Sequence, residues 1–249
     1  MNAIYHSADE SISKYLLEQC ELLKGMSSTS SLWIISRTLQ IQAESGVHGD
    51  VAEIGVYEGK SFIPLLLSLA KGETAVAIDP FSWPDPEVRQ RFEENVRKHA
   101  KAEGRLLVHQ MSSTDPKFSI EFAKHSYRFI HIDGDHSPEV LASDLRVAAG
   151  ALCDEGVICI DDMLHPEFPF LVQVVHEFLQ EFDNYRMLCV IDREGFVGAA
   201  KFLICKKGYV EEYDGALRES FPELVFTYDA KVGAEKVLLL TTHENMIEL

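Results

Sequence analysis

The period of the hydrophobic positions changes near residue 50. Before it, Ile12, Tyr15, Leu16 and the stretch Gln19–Leu23 give a broken helical stripe. Leu32, Ile35 and Leu39 give a cleaner one behind a Ser27–Ser31 cap region. After it, short apolar runs take over: Val51–Ile54, Ala75–Ile78, Leu106–His109, Phe129–Ile132 and Val157–Ile160. Between them the spacing predicts helices over residues 61–71, 86–102, 117–124 and 138–153. Continuous apolar runs bounded by turns suit parallel strands buried on both faces. Their alternation with helices predicts a doubly wound α/β sheet. A helix at 169–182 then leads to Tyr185–Ile191 and Lys201–Cys205, separated only by Asp192–Gly198. That is too little chain for a parallel crossover, so this sixth and seventh strand should form an antiparallel pair. The expectation is five parallel strands closed by that pair. Residues 1–48 form an amino-terminal helical extension, 49–207 the central domain, and 208–249 a carboxy-terminal extension packed on the same domain. The extension carries two more strand-like runs, Leu224–Tyr228 and Lys236–Thr241.

Charge narrows the partners. The 249 residues hold 23 Lys and Arg against 40 Asp and Glu, a net charge of −17 with His neutral. Such a balance argues against nucleic acid, which is bound by basic surfaces, and against anionic membrane surfaces. It leaves cations open, because carboxylates are what hard metals prefer. Met1–Ser13 has neither the basic nor the apolar region of a secretory leader. The longest apolar stretch, Phe62–Ala70, falls far short of the roughly 20 residues that span a bilayer. Cys20, Cys153, Cys159, Cys189 and Cys205 are odd in number and contain no CxxC pair, so a disulfide framework and a structural zinc are both unsupported. A reduced, cytoplasmic setting is expected.

The chemistry begins after the first strand, where open α/β sheets bind ligands. Val51 to Ser61 reads strand, glycine-bearing turn, helix. A dinucleotide fingerprint would need GxGxxG, and the glycines here are misplaced. A P-loop needs four residues between its first Gly and GK[ST], and Gly55 to Gly59-Lys60-Ser61 offers three. The turn Glu53-Ile54-Gly55-Val56-Tyr57-Glu58-Gly59 instead resembles the E-x-G-x-x-x-G turn of class I S-adenosylmethionine methyltransferases. The second strand ends in Asp79, about 20 residues beyond the glycines, the position of an acid that accepts ribose hydroxyls. Ser112, after the third strand, lies where such enzymes contact adenine.

Two further strands end in acids. Arg128 to Ser137 contains Asp133-Gly134-Asp135-His136, and Gly156 to Met163 ends in Asp161-Asp162. A single helix, capped near Ser137-Pro138, joins them, so Asp133, Asp161 and Asp162 should meet at the carboxyl edge of adjacent strands. Clustered carboxylates repel one another unless a cation neutralises them. An oxygen-only site selects Mg²⁺, Mn²⁺ or Ca²⁺ over zinc. The DxD element also occurs in metal-dependent glycosyltransferases, but those lack the glycine turn on the first strand.

From about Asp50 to Asp162 the chain resembles the macrocin and rhamnosyl O-methyltransferases, whose DGDHS-like strand end and later DD pair appear here almost unchanged. The resemblance implies a Rossmann-like fold and an S-adenosylmethionine-dependent O-methyltransferase. It implies a cofactor site of Glu53, Gly55, Tyr57, Gly59, Ser61, Asp79, Ser112 and Asp133, with Asp133, Asp161 and Asp162 on a divalent metal, Mg²⁺ first. The catechol O-methyltransferase group carries a lysine where His136 stands. His136 or Asp135 would take the proton of a hydroxyl acidified by the metal, with His136 preferred because it titrates near neutrality. The acceptor would be a small molecule or a sugar, met by Trp83, Asp85, His165, Glu167, Phe168 and Phe170. Two other readings stay open: a P-loop-like, Mg²⁺-dependent nucleotide hydrolase, and a non-catalytic cofactor-binding subunit. The tail from Gly208 either covers the site or mediates contact with a second copy.

Overall fold

The computed structural model describes residues 10–100, 104–195, 198–221, 225–233 and 235–243. Several expectations fall partly outside the described residues. They are the leader reading of residues 1–9, the end of the 86–102 helix, residues 196–197 between strands six and seven, Leu224, and the tail beyond 243.

The amino-terminal helices are α1 (Glu10–Glu18) and α2 (Thr29–Glu44), linked through a short 3₁₀ turn at Cys20–Leu22. Ser28 caps α2, its hydroxyl accepting the Ser31 N–H at 3.2 Å. The alternating part follows as β1 (Asp50–Ile54), α3 (Phe62–Leu67), β2 (Thr74–Asp79), α4 (Val88–His99) and β3 (Arg105–Gln110). It continues through α5 (Phe118–Phe122), β4 (Tyr127–Ile132), α6 (Pro138–Ala151) and β5 (Leu152–Met163). Then come α7 (Leu171–Glu181), β6 (Tyr185–Ile191), β7 (Ala200–Lys206), α8 (Val210–Ser220), β8 (Phe226–Val232) and β9 (Glu235–Thr241).

All nine strands form one sheet in the order β3-β2-β1-β4-β5-β7-β6-β9-β8. The α/β, Rossmann-like character expected from the sequence is present, but the expected five parallel strands plus one antiparallel pair must be corrected. β7 is antiparallel to both of its neighbours, β5 and β6, so β6 runs with β1 to β5. β9 adds parallel to β6, and β8 closes the edge antiparallel to β9. The physical reason lies in the short connection after β6. It forces a hairpin, and β7 turns back into the gap beside β5, leaving the outer edge of β6 free for the tail strands.

The central strands are buried on both faces, as their continuous apolar runs require, whereas the edge strands β3 and β8 are partly exposed. On one face Val51, Ala75, Phe129, Val157, Leu203 and Leu238 pack under α1, α2, α3 and α8 through Leu16, Leu32, Ile35, Phe62 and Leu217. On the other, Ala52, Val76, Ile130 and Ile158 pack against Leu141, Leu145, Val174 and Phe178 of α6 and α7. At the amino edge of the sheet, buried Arg128 donates to both oxygens of Glu73, to Gln42 of α2 at 3.2 Å and to the Ser68 carbonyl at 2.9 Å. A buried guanidinium with this many acceptors is fully satisfied, and it locks α2 onto the sheet. The opposite, carboxyl edge is thereby free for chemistry.

Candidate active site

The strand order reverses between β1 and β4, and this is where doubly wound sheets open a crevice. A cavity of about 640 Å³ sits there, lined among others by Gly55, Tyr57, Asp79, Trp83, Ser112, Asp133, Asp135, His136, Asp162 and Phe168. Gly55 makes the crevice possible. Its φ is +87°, and a Cβ there would lie 1.9 Å from the Asp133 carbonyl oxygen. Only glycine lets the turn after β1 press against the end of β4 in this way. The two segments are tied by the Asp133 N–H on the Ile54 carbonyl at 2.8 Å.

Asp79 ends β2 and faces the same turn. Its Oδ2 accepts the Val56 and Tyr57 N–H groups, each at 2.9 Å, and its Oδ1 accepts the Phe81 N–H at 2.6 Å. Tyr57 packs its ring on Trp83, with centroids 5.4 Å apart. Ser112 lines the cavity, with its hydroxyl also holding Thr114 in a turn. Beside it, Ser113 donates to Asp144 at 3.0 Å, and burial pushes the Asp144 carboxyl up to about 7.

Three residues expected to touch a cofactor do not line this cavity. Gly59 sits against the ring of Phe92. Ser61 turns inward and donates to Glu53 Oε1 at 2.5 Å. Glu53 is wholly buried, and its Oε1 also meets His131 Nδ1 at 2.9 Å, while Oε2 has no hydrogen-bond partner. The strand period explains this. Glu53 shares its face with Val51, so it points into the layer beneath the helices rather than out of the edge.

The acids at the ends of β4 and β5 come together but divide into two arrangements. Asp162, with φ +58°, hydrogen bonds through Oδ2 to His136 Nε2. His136 stacks on Phe168 with centroids 4.3 Å apart and planes 9° from parallel. The Asp162 hydrogen bond raises the His136 pKa above the ordinary value, despite partial burial. Asp161 is buried and tied elsewhere. Its Oδ1 accepts the Asp162 N–H at 2.7 Å, and its Oδ2 meets the ammonium of Lys201, with His131 Nε2 3.5 Å away. Burial alone would raise the Asp161 pKa, but the charge of Lys201 holds it well below the carboxylate range. Asp133, by contrast, is pushed well up, first by burial and then by the nearby Asp161 charge.

Asp135 is exposed and accepts the Ser137 N–H at 2.8 Å, and its hydrogen bonds to Ser137 lower its pKa. Trp83, His165, Glu167 and Phe168 line the cavity as expected of an acceptor pocket. Phe170 is 67% exposed and Asp85 pairs with Arg91 at 2.9 Å, and neither lines it. Lys60, the key residue of a P-loop reading, turns its ammonium to Glu21 at 3.2 Å and does not line this cavity either.

Lys201 was not singled out by sequence, nor was His131. A signal existed for the first: one lysine inside the apolar run Ala200–Cys205 must find a partner if the strand is central. Lys201 is 1% exposed.

Residues 52–163 match the model of a family described as methyltransferase domain. Over this segment the chain is similar to a methyltransferase domain. Solved structures similar to it share the fold at low identity. The O-methyltransferase TomG from Streptomyces achromogenes, in complex with SAM, is 18% identical over 80% of this chain and 90% of that chain, with a TM-score of 0.52. Cofactor-bound Rv0187 from MTB is 15% identical over 81% and 92%, with a TM-score of 0.55. The O-methyltransferase NovP is 16% identical over 72% and 80%, with a TM-score of 0.52. No curated protein sequence matches the chain. The class I methyltransferase resemblance read from Glu53–Gly59 and Asp133–Asp162 is therefore borne out. The motifs quoted for it lie inside the matched segment.

Proposed function

We propose that the methyltransferase domain transfers the methyl group of S-adenosylmethionine to a hydroxyl of a small molecule or sugar. The observation that carries this reading is the His136–Asp162 pair opening onto the same cavity as Gly55, Asp79 and Ser112. The residues fit the cofactor on two counts. Gly55 lines the cavity with bare backbone, and Asp79 ends β2 where ribose hydroxyls are accepted. Bound there, the sulfonium supplies an activated methyl group.

The chain's own residues then have three tasks. Gly55, Tyr57 and Asp79 hold the donor, and the aromatic groups of Trp83 and Phe168 bound the space left for the acceptor. His136 takes the acceptor's proton. With Nε2–H donating to Asp162, Nδ1 is the free acceptor nitrogen, and Asp162 stabilises the imidazolium that forms. Asp135 is the poorer base, because its hydrogen bonds to Ser137 keep it a weak proton acceptor. The remaining work is positioning for an in-line displacement.

A cavity of about 640 Å³ suits a small acceptor. Among the described residues no Lys or Arg lines it, while Asp79, Asp133, Asp135, Asp161, Asp162 and Glu167 do. This supports an acceptor that is not a polyanion. The divalent metal expected on Asp133, Asp161 and Asp162 does not fit these donors, because the Lys201 ammonium already occupies the cation position beside Asp161 Oδ2. A nucleotide hydrolase is not favoured, given the position of Lys60.

Calorimetry tests the reading directly. S-adenosylmethionine should bind, and Asp79→Ala should weaken it by about tenfold or more, worth about 1.4 kcal/mol. Binding of ATP with no response to S-adenosylmethionine would overturn it.

A further inference from the structure

We infer that Lys201 supplies, from within the chain, the positive charge that the acid cluster would otherwise take from a divalent ion. The methyltransferase domain then holds its strand-end carboxylates together without a metal. The inference rests on the proposed reading only for what the cluster is used for; the occupancy of Asp161 stands by itself.

A carboxylate can serve as a metal ligand only through a lone pair that faces the ion. Both Asp161 oxygens are engaged within the chain, and the position of a cation beside Oδ2 is already filled. Oδ1 accepts the Asp162 N–H at 2.7 Å, and Oδ2 carries the Lys201 ammonium, with His131 Nε2 at 3.5 Å. Lys201 is fully buried and donates to Ser27 Oγ at 3.2 Å, so it is held at that position from a second side. A lysine ammonium is a compact point charge, the side-chain group most like a bound cation in size and in field. A divalent ion brought to the same oxygen would meet it in a low-dielectric site, where like charges repel most strongly.

The position is built by the sheet. β7 inserts next to β5, with Ile160 opposite Phe202, and the ladder breaks between Ile160 and Met163. The next residue on β7 beside the acids is therefore Lys201. The donors left beside Asp162 do not make up the loss. Asp133, His136 and Asp162 offer atoms within 4.8 Å of one another, but His136 Nε2 and Asp162 Oδ2 are hydrogen bonded to each other. Lys201 is thus a positioning residue. It fixes the Asp161 carboxylate, and through the Asp161 Oδ1 bond to the Asp162 N–H it fixes the segment that presents Asp162 to His136.

The test is metal binding, read without activity. Mn²⁺ is titrated into the full chain and the free aquo ion is followed by electron paramagnetic resonance, alongside thermal unfolding with Mg²⁺ or chelator. S-adenosylhomocysteine binding is measured on the same samples, so that failure of the methyltransferase reading shows separately. The wild-type chain should bind no Mn²⁺ stoichiometrically, and chelator should change neither its Tm nor its S-adenosylhomocysteine affinity. Lys201→Met opens the cation position. It should bind Mn²⁺ at least about tenfold more tightly than wild type, and Mn²⁺ should raise its Tm. Lys201→Arg keeps the charge and should show no such gain. Stoichiometric Mn²⁺ on the wild-type chain, abolished by Asp161→Asn or Asp162→Asn, would overturn the inference. So would a folded Lys201→Met chain with no gained affinity. If Lys201→Met does not fold, the wild-type and Asp161→Asn titrations still decide the matter.

Discussion

His136 is asked to accept a proton, and its partner sets when it can. The Asp162 hydrogen bond favours the charged imidazolium, so the His136 pKa stands above its ordinary value. A base must be neutral to act. Turnover should therefore rise with pH through a midpoint above about 6.5, and Asp162→Asn should move that midpoint down. His136→Ala should lower turnover by about 10²–10⁴-fold while leaving S-adenosylmethionine affinity unchanged. A pH–rate profile paired with calorimetry checks all three. At this scale the sequence was legible wherever an acid ends an apolar strand, since the strand end alone locates Asp79, Asp133, Asp161 and Asp162. It was not legible where direction matters. Glu53 belongs to the right motif, yet the two-residue period turns its side chain under α3. Asp161 and Asp162 are neighbours in the chain, but one faces Lys201 and the other His136.

The turn between β1 and α3 is the element on which the site depends most. Gly55→Ala would force a Cβ into the Asp133 carbonyl at a backbone angle that side chains avoid, for which the strain alone costs about 1–2 kcal/mol. Both the Tm and S-adenosylmethionine binding should fall together, seen by melting curves and calorimetry on the same variant. A loss of one without the other would show that the turn and the cavity are separable. The alternating strands and helices from 50 to 191 were legible because each strand is apolar on both faces and each helix lies between turn signals. α8 was missed. Its buried positions, Tyr213 and Leu217, are four apart, but the intervening Asp214 and Gly215 read as loop. The place of β7 could not be read either, because a hairpin fixes the direction of two strands and not which of them lies inward.

Across the whole molecule, the sheet grades from a fixed centre to a lightly held margin. β1 and β4 are covered on both faces, whereas β8 pairs with β9 alone, and its residues are largely part-exposed. β9 in turn joins β6 through the register Cys189–Leu238 to Ile191–Leu240. Hydrogen exchange followed by mass spectrometry should find β8 amides exchanging well ahead of those in β1 and β4. Equal protection would mean that the tail is part of one cooperative unit with the core. The net charge of −17 belongs mostly to this outer scale, on solvated helix faces such as Glu93-Glu94 and Glu211-Glu212. The few acids at the carboxyl edge behave differently, and the Lys201–Asp161 contact shows how. The segment matching the methyltransferase domain ends at residue 163. The cation that neutralises its last acids comes from β7, and the hydroxyl steadying that cation comes from Ser27, ahead of α2. A graft cut at the borders of the shared motif would inherit the carboxylates and leave their counter-charge behind. In this chain the unit of inheritance and the unit of electrical neutrality have different borders.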